Sequence, residues 1–234
     1  MEIGKPAEPG QEQYANMLSV VIPALNASRS LPRTLGSVMG ADEIVLVDGG
    51  STDGTAALAA SLGARVLQAP RGRGSQLAAG VAAAQGDWLL LLHADTRLDA
   101  GWRTTADRHM ATARGHAGYF RFRLDSDDPR ARRLERTVAW RCRIFGLPYG
   151  DQGLLISRRL YDAAGGYAPI PLMEDVELAR RLGRRRLAPI GATVTASARR
   201  YREGGYVARP LRNLACLGLY FAGVAPRRIA RLYG

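Results

Sequence analysis

Lysine is nearly missing from this chain: Lys5 is the one lysine in 234 residues, so the other 32 of its 33 basic side chains are arginines. Its basic surface is therefore made of planar forks suited to phosphate and carboxylate. Cysteine is scarce as well. Cys142 and Cys216 lie far apart, without a CxxC or histidine-paired spacing. That excludes a disulfide framework or a zinc site and leaves reduced, buried thiols. No run of 18 apolar residues occurs, and the longest candidate, around residues 214–225, is too short to span a bilayer. Residues 1–17 (MEIGKPAEPGQEQYANM) have no apolar core, which argues against a signal peptide or anchor and for a flexible tail. The expected location is the cytoplasm, with peripheral attachment at the inner face of the cell membrane left open. Aromatic residues make up 7%, too few to interleave the arginines with stacking platforms, so no nucleic-acid partner is expected.

What is present is ordinary for a soluble α/β domain: 47% hydrophobic and 23% charged residues. The charge is uneven. Residues 1–116 hold 10 basic and 11 acidic side chains, whereas residues 117–234 hold 23 and 10. The second half thus carries the whole net charge of +12, an asymmetry that suits a phosphate-rich partner or a solvated arginine surface.

Hydrophobic runs at residues 18–22 (LSVVI, stopped by Pro23), 43–47 (EIVLV), 64–68 and 88–92 (WLLLL) predict four buried strands. Helices are predicted between them, at 29–40, from Thr52 and Asp53 to near Gly63, and at 74–85. This alternation predicts a parallel sheet covered on both faces, with ligands at the carboxyl ends of its strands. Asn26, Asp48 and Asp95 fall at three of those ends. Later, 118–124 reads as a half-exposed strand, 128–145 as a helix with Pro129 in its first turn, and 153–157 as a strand. A helix at 175–186, a strand at 188–196 and helices at 210–222 and 226–232 complete the chain. The expected organisation is one domain, 18–234, with a nucleotide-type half (18–116), an acceptor half (117–205) and a C-terminal helical segment (206–234).

Several short segments carry polar groups that such a sheet would gather. VDGGSTDGT (47–55) places Asp48 at a strand end before two glycines and a capped helix. It lacks the GxGxxG spacing of a dinucleotide fingerprint. Arg71 and Arg73, in RGRG before a helix, suit a diphosphate, although an exposed turn would look the same. HAD (93–95) follows the most apolar strand and offers Asp95 to a divalent cation, while a turn cap is the plainer explanation. Glu174 and Asp175 open a helix, where carboxylates favour the dipole, and one of them could act as a general base. Asp151 and Gln152 occupy a glycine-bounded turn able to orient an acceptor.

In this order PALN, VDGGSTDGT, HAD and EDVELARRL resemble glycosyltransferase family 2, over roughly residues 18–200. GDQGLLISRR and MEDVELARRL…SARRY resemble its small bacterial branch described as radical-SAM/selenodomain-associated glycosyltransferases. The resemblance implies the Rossmann-like GT-A fold and inverting transfer from a nucleoside-diphosphate sugar to a hydroxyl acceptor. It implies that Pro23, Leu25, Asn26 and Asp48 hold base and ribose, and that Arg71 or Arg73 approaches the diphosphate. Ala94 and Asp95 fall in the family's DxD, with Asp95 as metal ligand for Mg²⁺ or Mn²⁺. Asp175 matches the catalytic base of the ED motif, and Asp151, Gln152 and Glu174 the acceptor side. Two departures are visible: Ala27 follows the asparagine where an acidic residue is usual, and His93 replaces the first aspartate of DxD, leaving one metal-binding carboxylate.

A general base is needed by a hydroxyl and not by an ionised lipid phosphate, so the acceptor is expected to be a hydroxyl on an anionic or lipid-linked molecule. Residues 206–234 mix apolar positions with Arg209, Arg212, Arg227, Arg228 and Arg231. That suits an interfacial helix on anionic lipid, a helix packed on the sheet, or a homodimer interface. A sugar-nucleotidyltransferase would want a glycine-rich basic loop where PALNAS stands. A noncatalytic sugar-nucleotide-binding protein stays open through the His93 departure.

Overall fold

The computed structural model describes residues 16–233, so residues 1–15 of the expected tail lie outside the described residues. Met17 is already tied to the domain, its carbonyl accepting the Trp88 N–H at 3.1 Å. The first half follows the expected alternation. Strand β1 (Leu18–Ala24) is followed by α1 (Leu31–Ser37), β2 (Glu43–Asp48), α2 (Thr55–Ser61), β3 (Arg65–Gln68), α3 (Arg73–Ala83) and β4 (Trp88–Leu91). The four strands pair in parallel in the order β3-β2-β1-β4.

Pro23 does not stop β1. Val21 turns its carbonyl toward β4, where it accepts the Leu92 N–H at 3.0 Å, and Ala24 turns its carbonyl toward β2 to accept Gly49 N–H at 2.9 Å. Pro23 therefore aims its missing N–H at the β4 side, where pairing has already ended at Val21↔Leu91, and no ladder bond is lost. The third strand, expected to be buried, is instead an edge strand with exposed ends.

The second half adds β5 (Thr96–Leu98), α4 (Trp102–Thr112), β6 (Ala117–Leu124), α5 (Pro129–Phe145), β7 (Leu154–Ser157), α6 (Arg158–Ala163), α7 (Glu174–Leu182), β8 (Leu187–Ala196), α8 (Arg199–Gly204), α9 (Ala208–Phe221) and α10 (Pro226–Tyr233). One sheet runs through both halves in the order β3-β2-β1-β4-β7-β6-β8-β5. β7 runs antiparallel to β4 and β6, and β5 antiparallel to β8, while β6 and β8 are parallel. β6 lies between β7 and β8, so its first four residues are buried and the half-exposed alternation is confined to its end. α7 stops at Leu182 rather than near 186, because Gly183 takes φ +75° and Arg184–Arg186 form a separate 3-10 turn. The entry to α2 also differs: Gly54 is its N-cap, with Asp53 accepting from the Thr55 N–H at 3.1 Å.

The sheet's faces feed two cores. Leu18, Val20, Ile22, Leu90 and Leu92 pack with Leu31, Leu35, Trp102 and Met110 on one face. Val21, Val45, Val47, Leu89 and Leu91 pack with Leu77, Val81, Tyr161 and Leu178 on the other. Strands buried on both faces explain the unbroken apolar runs in the sequence. α3 lies close on its face because Gly80 has no side chain: a Cβ there would sit 2.8 Å from Val47 Cγ2. α9 and α10 reach the body through Cys216, Leu217 and Ile229, which pack with Leu147, Leu172, Met173 and Val176.

Candidate active site

The loops after β1 and β2 are laced together at the carboxyl edge of the sheet. Asn26 takes a left-handed φ of +48°, and its Oδ1 accepts the Thr52 N–H at 2.9 Å while its own N–H reaches Ser51 Oγ at 2.8 Å. Ala27 N–H donates to Thr55 Oγ1 at 2.8 Å, and Ser28 donates through N–H and Oγ to Asp53 Oδ2 at 3.0 and 2.8 Å. Asp48 is buried beneath this lacing. Its Oδ2 accepts from Gly50 and Ser51 N–H at 3.0 and 2.9 Å, and its Oδ1 has no partner. Burial alone would raise its pKa, but the hydrogen bonds from Ser51 and Gly50 prevail and hold the carboxyl below its usual range.

Gln76 is the main structural residue that the sequence reading missed. From the buried face of α3 its Nε2 donates to Ala24 O and Val47 O, both at 2.8 Å, and its Oε1 accepts the Gly72 N–H at 3.3 Å. One side chain thus joins the ends of β1 and β2 to the turn carrying Arg71 and Arg73. The available signal was a polar residue in an otherwise apolar, alanine-rich helix (GSQLAAGVAAAQ).

A cleft of about 920 Å³ opens on this edge. Pro23, Leu25, Asn26, Arg71, Arg73, Ala94 and Asp95 line it, as do Arg29, Arg33, Arg97, Arg199, Arg200 and Arg202. Eight arginines therefore face two carboxylates, Asp95 and Asp125. Arg200 approaches Asp95, with Nη2 3.8 Å from Oδ2.

A smaller cavity of about 100 Å³ shares Arg73, His93, Asp95 and Arg200 with the cleft and adds Tyr149, Asp151, Met173, Asp175, Arg209 and Asn213. Asp175 is held from two sides: Oδ2 accepts the Gly150 N–H at 2.7 Å and Oδ1 accepts the Val176 N–H at 2.8 Å. Met173, just before α7, takes φ +69°, a conformation unfavourable to any side chain except where the surroundings enforce it. His93 is packed under Gly150, where a Cβ would meet its Nε2 at 2.5 Å, and that nitrogen has no partner. Burial first, and Arg73 second, push the His93 pKa down to about 4, so the ring is neutral. Asp151 moves the other way, to about 6, because burial outweighs the nearby Arg141 and Asp175 adds like charge.

Not every predicted site residue faces these spaces. Gln152 points inward: its Oε1 accepts from Arg141 Nη2 and Cys142 Sγ, both at 3.1 Å, and its Nε2 donates to Phe120 O at 3.2 Å. Glu174 is fully buried behind Arg73, with Oε1 2.9 Å from its Nε, and burial raises its pKa to about 7. It props an arginine of the cleft and does not reach the acceptor side. Asp48 likewise lies beneath the cleft, and Asn26 spends its carbonyl on the neighbouring loop. The structure does gather Arg73, Asp95, Asp151 and Asp175 from four separate segments around the smaller cavity, with Arg73 and Asp95 also facing the cleft.

The mixed sheet, with its parallel half β3-β2-β1-β4, has the architecture of the GT-A fold, and solved structures share it. A glucosyl-3-phosphoglycerate synthase from Mycobacterium tuberculosis, in complex with Mn²⁺, UDP-glucose and phosphoglyceric acid, superposes with a TM-score of 0.61 at 22% identity, covering 94% of this chain and 86% of that one. A mannosyl-3-phosphoglycerate synthase from Rubrobacter xylanophilus gives 0.59 at 18% identity, covering 91% and 77%. At these identities the likeness establishes the fold. The model of "Glycosyl transferase family 2" matches residues 19–168, and the chain belongs to that family. An uncharacterised glycosyltransferase of Mycobacterium tuberculosis is 42% identical over 85 residues, 36% of this chain and 39% of that protein. A PGL/p-HBAD biosynthesis glycosyltransferase from the same species is 41% identical over 36% of this chain and 37% of its own length. The chain thus matches about two fifths of these curated relatives.

Proposed function

We propose that the protein is an inverting, hexosyltransferase-type enzyme that moves a sugar from a nucleoside-diphosphate sugar to a hydroxyl acceptor. The observation that carries this reading is the junction of the two spaces: a large arginine-lined cleft meets a small cavity, with Asp95 in both and Asp175 in the small one. Arg71 and Arg73 face the diphosphate, and Leu25 with Pro23 forms an apolar wall for the base. Asp48, buried beneath the cleft, fixes the Gly50 and Ser51 loop against which base and ribose lie.

Asp175 takes the proton of the acceptor hydroxyl as that oxygen attacks the anomeric carbon, and the nucleoside diphosphate departs from the opposite face. The Gly150 and Val176 N–H groups fix its orientation. The chemistry of the donor set fits Mg²⁺ or Mn²⁺ arriving with the donor. Among the described residues no three His, Cys, Asp or Glu side chains group to hold an ion, whereas Mg²⁺ commonly takes one or two carboxylates plus substrate phosphates. Asp95 would be that carboxylate. When bound, the cation neutralises charge building on the leaving diphosphate. Asp151, beside Asp175, orients the acceptor, and the surrounding arginines suit an anionic or lipid-linked one. The segments GDQGLLISRR and SARRY support placement in the radical-SAM/selenodomain-associated branch.

The test is thermal stabilisation by UDP-, GDP-, ADP- and dTDP-sugars with and without Mn²⁺ or Mg²⁺, on the wild type and Asp95→Ala. The expected result is stabilisation by one nucleotide class, enhanced by metal and lost in Asp95→Ala. A folded protein indifferent to all four classes would refute the proposal. Donor binding without transfer or donor hydrolysis would instead favour a noncatalytic sugar-nucleotide-binding protein.

A further inference from the structure

Helix α9 exposes an uncharged apolar stripe. Val207, Leu211, Leu214 and Phe221 are 67%, 60%, 62% and 52% exposed. Their spacing of four, three and seven residues places them on one side of the helix. Ala208, Ala215, Gly218 and Ala222 are also exposed and project within the same sector, which contains no polar side chain. The opposite side is committed to the body: Cys216 and Leu217 are in the core, and Arg209 and Asn213 line the smaller cavity. The stripe is roughly 20 Å long at the helical rise per residue. Among the described residues nothing covers it.

We propose that this stripe docks the protein on an anionic lipid bilayer, with α9 lying in the plane of the interface. Charge complementarity selects this occupant. Exposed Arg212 borders the stripe, and α10, packed on α9, carries exposed Arg227, Arg228 and Arg231 beside exposed Leu232. Apolar side chains with arginine at their border and on the adjoining helix match a surface that is apolar below and negatively charged above. A second copy of this chain matches poorly. A two-fold interface on the stripe would bring together two molecules that each carry a net charge of +12, with Arg212 of both at its border. Nucleic acid would leave the aliphatic stripe unused. No described helix is long and apolar enough to cross a membrane, so the helix lies on the bilayer rather than in it. Because the other side of α9 forms a wall of the smaller cavity, docking brings the acceptor side near the lipid surface. That consequence rests on the transfer reading above, while the docking itself does not.

The experiment is co-sedimentation of the full chain with vesicles of phosphatidylcholine alone or mixed with phosphatidylglycerol, accompanied by light scattering. The wild type is expected to sediment with the anionic vesicles, and the exposed double variant Leu211→Glu/Leu214→Glu, at unchanged melting temperature, to lose at least tenfold in affinity. Arg227→Ala and Arg228→Ala should each weaken binding about fivefold, the value of one basic residue at an anionic surface. Absence of binding to anionic vesicles would overturn the proposal. So would a wild-type dimer that the double variant converts to a monomer, since the stripe would then be an interface between copies. Nucleotide-sugar stabilisation measured on the same double variant should be unchanged, which separates failure of docking from failure of the donor site.

Discussion

Replacing Gln76 by leucine tests whether one buried amide holds the donor edge together. Leucine matches the side chain in size, so the change removes hydrogen bonds and leaves packing largely intact. Ala24 O keeps its bond from Gly49 N–H and Val47 O keeps the β1–β2 ladder bond from Ala24 N–H, while Gly72 N–H loses its acceptor. A buried polar group deprived of its partner costs about 1–3 kcal/mol. One such group, discounted because Gly72 is part-buried, gives about 1 kcal/mol. For a domain of this length that corresponds to about 3 °C in melting temperature. The assay is a thermal melt with and without nucleotide sugar. Donor affinity should also fall, because the turn bearing Arg71 and Arg73 loses its anchor to the sheet. Gln76→Glu should be worse than leucine, since a carboxylate would confront two carbonyl oxygens. A leucine variant that melts within about 1 °C of the wild type (about a third of the expected shift) and binds donor normally would refute the reasoning.

Asp175→Asn should leave donor binding intact and lower transfer about 10²–10⁴-fold, the usual worth of a general base, as read by product formation at saturating donor. Gly150→Ala would place a Cβ 2.5 Å from His93 Nε2, so it should disturb the Asp175 anchor, lowering kcat and melting temperature together. Gly80→Leu should destabilise by about 1–3 kcal/mol by overpacking α3 against Val21 and Val47, seen as an earlier denaturant midpoint. For Asp151 the folded pKa of about 6 lies above the unfolded 3.8. Its contribution is therefore fully present below about pH 4 and is lost as pH rises through 6, and Asp151→Asn should flatten that part of the stability curve.

The parts of the fold legible in the sequence were those whose signal is local. α5 announces itself by Asp128 as N-cap, Pro129 in its first turn and Gly146 in a left-handed C-cap, and it ends where these residues say. β1, β2 and β4 were legible because burial on both faces leaves unbroken apolar runs. β5 was not: three residues long, it exists through pairing with β8, nearly a hundred positions later. The site divides along the same line. That Asp95 and Asp175 would face a common space could be inferred from their order along a known pattern. That Gln152 turns toward Phe120, or that Glu174 retreats behind Arg73, depends on contacts between distant segments that no spacing records.

The eight arginines of the cleft bear on rate more than on identity. A field of one sign draws in every phosphate-bearing solute, so UDP-, GDP- and ADP-linked molecules should arrive at similar speeds, each faster in dilute buffer than in concentrated salt. Discrimination must then come from dwell time, through the few uncharged contacts around Leu25 and Asn26. The same field detains the spent nucleoside diphosphate, which should make product escape the slow step of the cycle and cellular nucleotides effective competitors.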